Sequence, residues 1–172
     1  MDTGAGPWVL RTLAAMVGCD DVLVVVGDRA DDVVALLPTG VRSVHNPDHD
    51  GGMGSSLRVG LASVPEHADA ALVMLVDLPD VGSAVIDRVL AVALTADDVS
   101  ALLARAVYRG QPGHPVLLGR SHFADISGTA AGDRGARDYL SQHQVMPIEC
   151  GDLAGGADVD RPDRDASRDY HR

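Results

Sequence analysis

The stretch A-A-L-V-M-L-V-D-L-P-D-V, from Ala70 to Val81, predicts the fold class. Its apolar part, as far as Val76, contains no charged residue and is rich in Val and Leu. Such a run is typical of a strand that is buried on both faces of a sheet. The run stops at Asp77 and turns at Pro79, so we expect Asp77 to be the last residue of this strand. Because ligands in open α/β sheets lie outside the carboxyl ends of the strands, Asp77 is a candidate site residue.

Strands and helices alternate in the remainder of the chain. Residues 22–26 form a second apolar run without alternation, and a short helix and a weaker strand at residues 41–44 follow it in βαβ order. We therefore expect an α/β fold with a Rossmann-like, doubly wound and mostly parallel sheet flanked by helices. No repeat or linker divides residues 1–172, which predicts one domain. The tail from Gly151 has too few apolar residues for a core, so we expect it to be flexible from about residue 161.

Composition and charge exclude several classes of function. The net charge of -11 argues against binding of nucleic acid, which requires clustered cations. All 14 basic residues are Arg, so no Lys of this chain can act as a nucleophile or phosphate clamp. The two Cys residues have no metal or redox spacing, which predicts a reducing, cytoplasmic location. No apolar run approaches the roughly 20 residues that span a bilayer, so we expect no membrane segment.

Asp77 has two interpretations that the sequence leaves open. It could be a ligand of Mg²⁺, a hard cation that prefers carboxylate oxygens, or it could cap the turn and the helix that begins near Ser83. Asp80 is more readily interpreted as a cap. Response-regulator receiver domains also carry an Asp at a strand end, but they use an acidic pair after the first strand and a late Lys. Here Asp20 and Asp21 precede their strand and Lys is absent, which argues against that class.

A glycine-rich segment at residues 45–58, H-N-P-D-H-D-G-G-M-G-S-S-L-R, leads into a helix. The amides of Gly52 and Gly54, together with Ser55 and Ser56 at the helix start, could bind an anion. The alternative is a turn that glycine permits, with Ser55 or Ser56 as the helix N-cap. Both interpretations remain open for this segment.

Two later segments also combine glycine with polar residues. In G-D-R-G-A-R at residues 132–137, Asp133 could cap a helix, or Arg134 and Arg137 could face a phosphate. In the tight loop R-G-Q-P-G-H-P at residues 109–115, His114 could bind substrate or have a structural role. The sequence contains no nucleophile elbow, Walker A motif or H-E-x-x-H zinc motif.

Taken in order, five segments resemble the molybdenum-cofactor nucleotidyltransferases, especially the molybdopterin cytidylyltransferase branch. They are N-P-D-H-D-G-G-M-G-S-S-L-R-V-G-L (46–61), L-V-D-L-P-D-V (75–81), G-Q-P-G-H-P-V-L-L (110–118), G-D-R-G-A-R (132–137) and D-V-D-R-P (158–162). The resemblance implies an Mg²⁺-dependent transfer of a nucleoside monophosphate from CTP or GTP to the phosphate of molybdopterin, with release of pyrophosphate. The implied partners are an NTP and a small phosphorylated acceptor.

The resemblance also implies roles for individual residues. Asp77 matches the metal aspartate of the D-[LM]-P motif and is the candidate catalytic residue, and Asp158 and Asp160 match a second metal position, although Arg161 stands where Thr is usual. The candidate nucleotide and acceptor residues are Gly52, Gly54, Ser55, Ser56, Pro79, Gly113, His114, Pro115, Asp133, Arg134 and Arg137.

One departure from the family concerns its opening strand and loop, L-A-A-G-x-S-x-R-M-G-x-P-K, which holds the triphosphate. This chain begins where that loop would have ended, so we expect a missing central strand, unpaired edges on its neighbours and possible self-association. Two alternatives follow for function. The chain could be a binding module or carrier for a phosphorylated pterin, or it could transfer nucleotides to another small phosphorylated acceptor such as phospholactate.

Overall fold

The computed structural model describes residues 7–158, and helices and strands alternate through most of this range. The helices are α1 (Trp8–Ala15), α2 (Ala30–Val34), α3 (Met53–Ala62), α4 (Ser83–Leu90), α5 (Phe123–Thr129) and α6 (Arg137–Ser141). The strands are β1 (Leu23–Val26), β2 (Arg42–His45), β3 (Ala70–Val73), β4 (Leu103–Tyr108), β5 (Gln111–Gly119) and β6 (Met146–Glu149). The prediction of an α/β fold is confirmed. Within residues 7–158, every helix is too short or too polar to cross a bilayer.

The strands form two sheets, which corrects the prediction of one mostly parallel sheet. β1 and β2 form a parallel pair, and the other four strands are ordered β3-β5-β4-β6. In the larger sheet, β4 and β6 are parallel, whereas β5 is antiparallel to both β3 and β4. The antiparallel part follows from a two-residue hairpin turn, because Arg109 and Gly110 both have positive φ, 53° and 82°. Residues 111–115, predicted as loop, therefore belong to β5.

Strand β3 ends at Val73, so the prediction that Asp77 is the last residue of this strand is wrong. Its pairing with β5 stops where Val73 meets Val116. Because β3 has no second partner strand among the described residues, nothing on its other side extends the ladder. Residues 74–76 leave the sheet, and Asp77 lies in the turn that follows.

Among the described residues, β1 and β3 each have one edge without a partner strand. The carbonyls of Val22 and Val26 accept hydrogen bonds from β2. Since the amides of successive residues alternate in direction along a strand, those of Leu23 and Val25 point away from β2. Within residues 7–158 no strand pairs with that edge of β1 or with the corresponding edge of β3.

Helix α3 links the two sheets. Its Gly60 lies against β1, where an added Cβ would come within 3.2 Å of Val25 Cγ2. Its Leu61 packs in a buried cluster with Ala71 and Val73 of β3. A larger side chain at residue 60 would press on the smaller sheet, so glycine at this position permits the close approach.

The four-stranded sheet is covered on both faces. On one face, Ala104 and Ala106 of β4 pack with Val85 and Val89 of α4. On the other, Leu103 packs with a cluster drawn mainly from α3, α5 and α6. Side chains alternate across a strand, so Arg105 lies on the same face as Leu103, the face that these three helices cover.

Candidate nucleotide and acceptor site

The Asp77 side chain is half-buried in the turn after β3 and has no hydrogen-bond partner for its Oδ1 atom among the described residues. Helix α4 begins after Gly82 without a side-chain cap, so neither Asp77 nor Asp80 has the capping role that the sequence left open. Leaving a carboxylate oxygen buried without a partner is costly. A cation is the kind of ligand that would satisfy it.

Asp80 instead anchors the segment that follows β6. Its Oδ2 atom accepts hydrogen bonds from the amides of Gly155 at 2.6 Å and Gly156 at 3.2 Å. This contact brings Gly155 and Gly156 to the turn that carries Asp77. Asp158, two residues beyond Gly156, is exposed, and the predicted metal ligand Asp160 lies outside the described residues. Residues 7–158 contain no group of three or more His, Cys, Asp or Glu side chains that could hold a metal.

Asn46 organises the glycine-rich segment before α3. The residue is 1 % exposed, and its Nδ2 donates to Ser55 Oγ at 2.8 Å and to Ser56 Oγ at 3.0 Å. Its Oδ1 accepts from the amide of Asp48 at 3.1 Å. The Ser55 hydroxyl is also within hydrogen-bond reach of the carbonyls of Asp48 and Gly52. Ser55 is buried and positions the loop, and α3 has Gly52 as its N-cap, which corrects the prediction that a serine caps this helix.

The start of α3 lies against the segment before α6. An added Cβ on Gly54 would come within 2.7 Å of the Ala131 amide nitrogen. An added Cβ on Gly52, whose φ is 83°, would come within 2.7 Å of Asp133 Oδ1. The structure therefore brings the predicted residues Gly52, Gly54 and Asp133 together, and it also places a carboxylate of the chain itself beside the N-terminus of this helix.

The loop that contains Gly113, His114 and Pro115 is held by Tyr108. The Tyr108 hydroxyl donates to the His114 carbonyl at 2.6 Å, and its ring lies 2.7 Å from where a Cβ on Gly113 would stand. Gly156 also lies against the Tyr108 ring, since an added Cβ on this glycine would come within 2.2 Å of a ring carbon. Pro115 is fully buried. Tyr108 thus connects this loop with the segment that Asp80 anchors.

The positive charges of Arg105 and Arg137 act on His114. Burial, followed by the positive charges of Arg105 and Arg137, lowers the pKa of His114 from 6.5 to about 4. His114 is therefore neutral at pH 7. Arg134 instead pairs with Asp138. Its guanidinium donates to both carboxylate oxygens, at 3.0 and 3.1 Å, on the exposed side of α6.

The lowered pKa of His114 predicts a pH dependence of stability. The neutral imidazole is favoured in the folded chain, so this contribution is complete above the unfolded pKa of about 6.5 and is lost as the pH falls through the folded pKa of about 4. We expect His114→Gln to remove about 2 kcal/mol of the decrease in the free energy of unfolding between pH 6.5 and 4. Urea unfolding across this range measures it. The exposed His67→Gln is the control, and equal pH slopes in both variants would contradict the prediction.

Comparison with known proteins decides the family. Residues 3–146 match the family model of the MobA-like NTP transferase domain, which is most of the chain. This chain belongs to the MobA-like NTP transferase domain family. The prediction of a nucleotidyltransferase family from the ordered segments is therefore confirmed.

Relatives of this MobA-like domain differ in their described activities. Nicotine blue oxidoreductase of Paenarthrobacter nicotinovorans is 34% identical over 152 residues, which cover 83% of this chain and 72% of that protein. Among solved structures, Rv0371C of Mycobacterium tuberculosis H37Rv, in complex with manganese, is 26% identical with a TM-score of 0.69, and the match covers 84% of this chain and 75% of that one. A nucleotidyl transferase of Methanothermobacter thermautotroptrophicus shares the fold at 24% identity, with a TM-score of 0.66 and coverage of 86% and 71%.

The sequence reasoning missed three residues that organise the site of this MobA-like domain. Asn46 is the one asparagine in the chain, but it stands before Pro47 in a pattern typical of a turn, which does not indicate its buried hydrogen bonds. Nothing in the sequence around Tyr108 indicates its hydrogen bond to the carbonyl of His114. Arg105 carried the clearest available signal, because a charged residue stood inside the otherwise apolar strand sequence L-A-R-A-V-Y.

Proposed function

We propose that this chain is a nucleotidyltransferase that uses a divalent cation, Mg²⁺ in the first instance, to transfer CMP or GMP from CTP or GTP to molybdopterin or a similar small phosphorylated acceptor. In this reaction a phosphate oxygen of the acceptor attacks the α-phosphorus of the NTP. The bond from that phosphorus to the bridging oxygen breaks, and pyrophosphate leaves with the electron pair. Family membership supports the reaction class.

The observation that carries the proposal is the unpartnered, buried Oδ1 atom of Asp77. A carboxylate in this state fits a hard cation, which takes oxygen ligands and keeps its other positions for water and phosphate. Asp77 would hold the cation, with Asp158 or Asp160 as a candidate second ligand. When bound, the cation would offset charge on the phosphates during an in-line displacement.

The other candidate residues have binding and positioning roles in this proposal. Gly52 and Gly54 permit the close contact between α3 and the segment before α6, and Ser55 and Ser56 are held by Asn46. Arg137 and the neutral His114 are the side chains that we assign to the acceptor. Arg134 has a smaller role here, since Asp138 already pairs with it.

The test is a product assay with the purified chain, a pterin phosphate as acceptor and CTP, GTP, ATP or UTP as donor. We expect pyrophosphate and a pterin dinucleotide with CTP or GTP, no product in EDTA, and recovery when Mg²⁺ or Mn²⁺ is restored. Calorimetry supplies the second measurement. Binding of the pterin phosphate without binding of any NTP would contradict the proposal and support the carrier alternative.

A second candidate function is oxidoreduction, which the 34% identity to nicotine blue oxidoreductase favours. In such a reaction a reduced nicotinamide nucleotide gives a hydride to a quinonoid aromatic acceptor, which also takes up a proton. Loss of nicotinamide absorbance at 340 nm with such an acceptor would support it. Activity of this kind that persists in EDTA, without pyrophosphate release in the first assay, would replace the nucleotidyltransferase proposal.

A further inference from the structure

We propose that Arg105, together with Arg137 and His114, forms a binding site for the phosphate group of a phosphate monoester. Arg105 belongs to none of the motifs that resemble the family, and it lies in the middle of a strand. The inference rests on the proposed function in one respect, since the acceptor of that reaction would supply the phosphate. Its test, however, requires neither an NTP nor turnover.

The geometry of the sheet brings these residues together. Arg105 lies opposite Val116 of β5 and Pro147 of β6, in the interior of the sheet. The register between β4 and β5 shifts directly after Arg105, from the pair Arg105–Val116 to the pair Val107–Pro112. Three residues of β5, 113–115, therefore stand opposite one residue of β4. Such a bulge re-aims side chains, and His114 is the central residue of this one.

Arg137 approaches from the helical layer. It is the first residue of α6, whose Tyr139 and Leu140 pack in the same buried cluster as Leu103. Since Arg105 lies on the Leu103 face of the sheet, α6 covers the face from which the Arg105 side chain extends. The two guanidinium groups are close enough that the charge of Arg137 lowers the pKa of Arg105, after the larger effect of burial.

Arg105 has no partner in the part of the chain that the structure describes. Its Nε atom is buried without a hydrogen bond, and neither Arg105 nor Arg137 forms an ion pair within residues 7–158. An unmet buried donor on a charged group is costly, and a second cation nearby adds to that cost. The arrangement is thus unfavourable for stability alone, which indicates that an anion completes it.

Carboxylates of the neighbouring segments do not fill this role. Asp138 is engaged by Arg134 through both oxygens, and Asp133 lies beside Gly52 at the start of α3. Two guanidinium groups match the two negative charges of a phosphate monoester, and their planar donor pairs suit its oxygens. Neutral His114 can donate one hydrogen bond or accept one from a protonated phosphate oxygen.

The experiment is isothermal titration calorimetry of the whole chain with methyl phosphate at pH 7, without NTP or metal. We expect Arg105→Met to weaken binding by about tenfold or more, since charge-assisted hydrogen bonds are lost. Arg29→Met removes the same charge at an exposed position outside the candidate site, where Arg29 pairs with Asp32, and is the control, with an expected change below about twofold. Arg137→Met replaces an exposed side chain, so it tests the site even if Arg105→Met does not fold.

Titration with acetate and comparison with the product assay distinguish the possible outcomes. Acetate, titrated in the same way, should bind at least about tenfold more weakly than methyl phosphate, because it carries one charge fewer. Equal binding of acetate, or equal losses in the Arg105, Arg137 and Arg29 variants, would overturn the phosphate assignment. If methyl phosphate binds as expected and no NTP yields product, the proposed reaction fails while this site stands. If product forms but Arg105→Met binds methyl phosphate normally, the proposed reaction stands and the assignment of this phosphate site fails.

Discussion

Replacing Asp77 by Asn is expected to lower the rate of nucleotidyl transfer by about 10³-fold or more, which is the scale of losing a main electrostatic contributor to a transition state. The substitution keeps the shape of the side chain and removes its charge. Because Asp77 Oδ1 has no partner among the described residues, no hydrogen bond of the fold is lost. The free energy of unfolding should therefore remain within about 1 kcal/mol of the parent value.

The measurement pairs initial rates of pyrophosphate release with thermal unfolding in the presence and absence of Mn²⁺. We expect the parent chain to gain stability from the cation and Asp77→Asn to gain little or none. Asp87→Asn, an exposed carboxylate on α4, is the matched control for the loss of one charge. A transfer rate for Asp77→Asn within about tenfold of the Asp87→Asn rate would show that Asp77 does not hold the catalytic cation.

Replacing Asn46 by Leu is expected to have the largest effect on stability, a loss of about 2–4 kcal/mol. Leu branches at Cγ as Asn does, but it can neither donate to the hydroxyls of Ser55 and Ser56 nor accept from the amide of Asp48. Those groups lie in a region where Asn46 is 1 % exposed, so water does not readily replace the lost partners. The start of α3 would then lose its anchor.

Urea unfolding of Asn46→Leu measures this loss. Gln142→Leu also replaces a side-chain amide by an isobutyl group, at an exposed position, and we expect a change within about 0.5 kcal/mol. A double-mutant cycle with Ser55→Ala adds a check on mechanism. We expect the two losses to be non-additive, since the residues share a hydrogen bond, and strict additivity would contradict the anchoring role.

Features that depend on neighbouring residues could be predicted from the sequence, whereas the direction of β5 could not. Apolar runs at residues 22–26 and 70–76 predicted two strands, because periodicity and the absence of charge are local properties of the chain. Both strands form, but β3 is only partly buried and ends at Val73, so the prediction that it is buried on both faces is wrong. The ordered motifs likewise predicted the nucleotidyltransferase family, which the match to residues 3–146 confirms. The direction of β5 was missed, because it depends on positive φ at Arg109, a residue type that does not usually adopt it.

In the candidate site, too, residue types could be predicted from motifs, whereas long-range contacts could not. Sequence motifs identified Asp77, Gly52, Gly54, His114 and Arg137 as candidates, and the structure places Gly52 and Gly54 against the segment before α6. That Asp80 anchors Gly155 and Gly156 was invisible in the sequence, since those residues are 75 and 76 positions away.

The sequence by itself determined the alternation of strands and helices, the family and the chemical types of the candidate residues, all of which depend on residue identity and short spacing. Only the tertiary structure decided that Asp77 lies beyond its strand with a buried oxygen that has no partner among residues 7–158, and that the Nε atom of Arg105 is likewise buried without a partner in this range. The reason is physical. Whether a polar atom has a partner depends on segments far apart in the chain, and only folding brings those segments together.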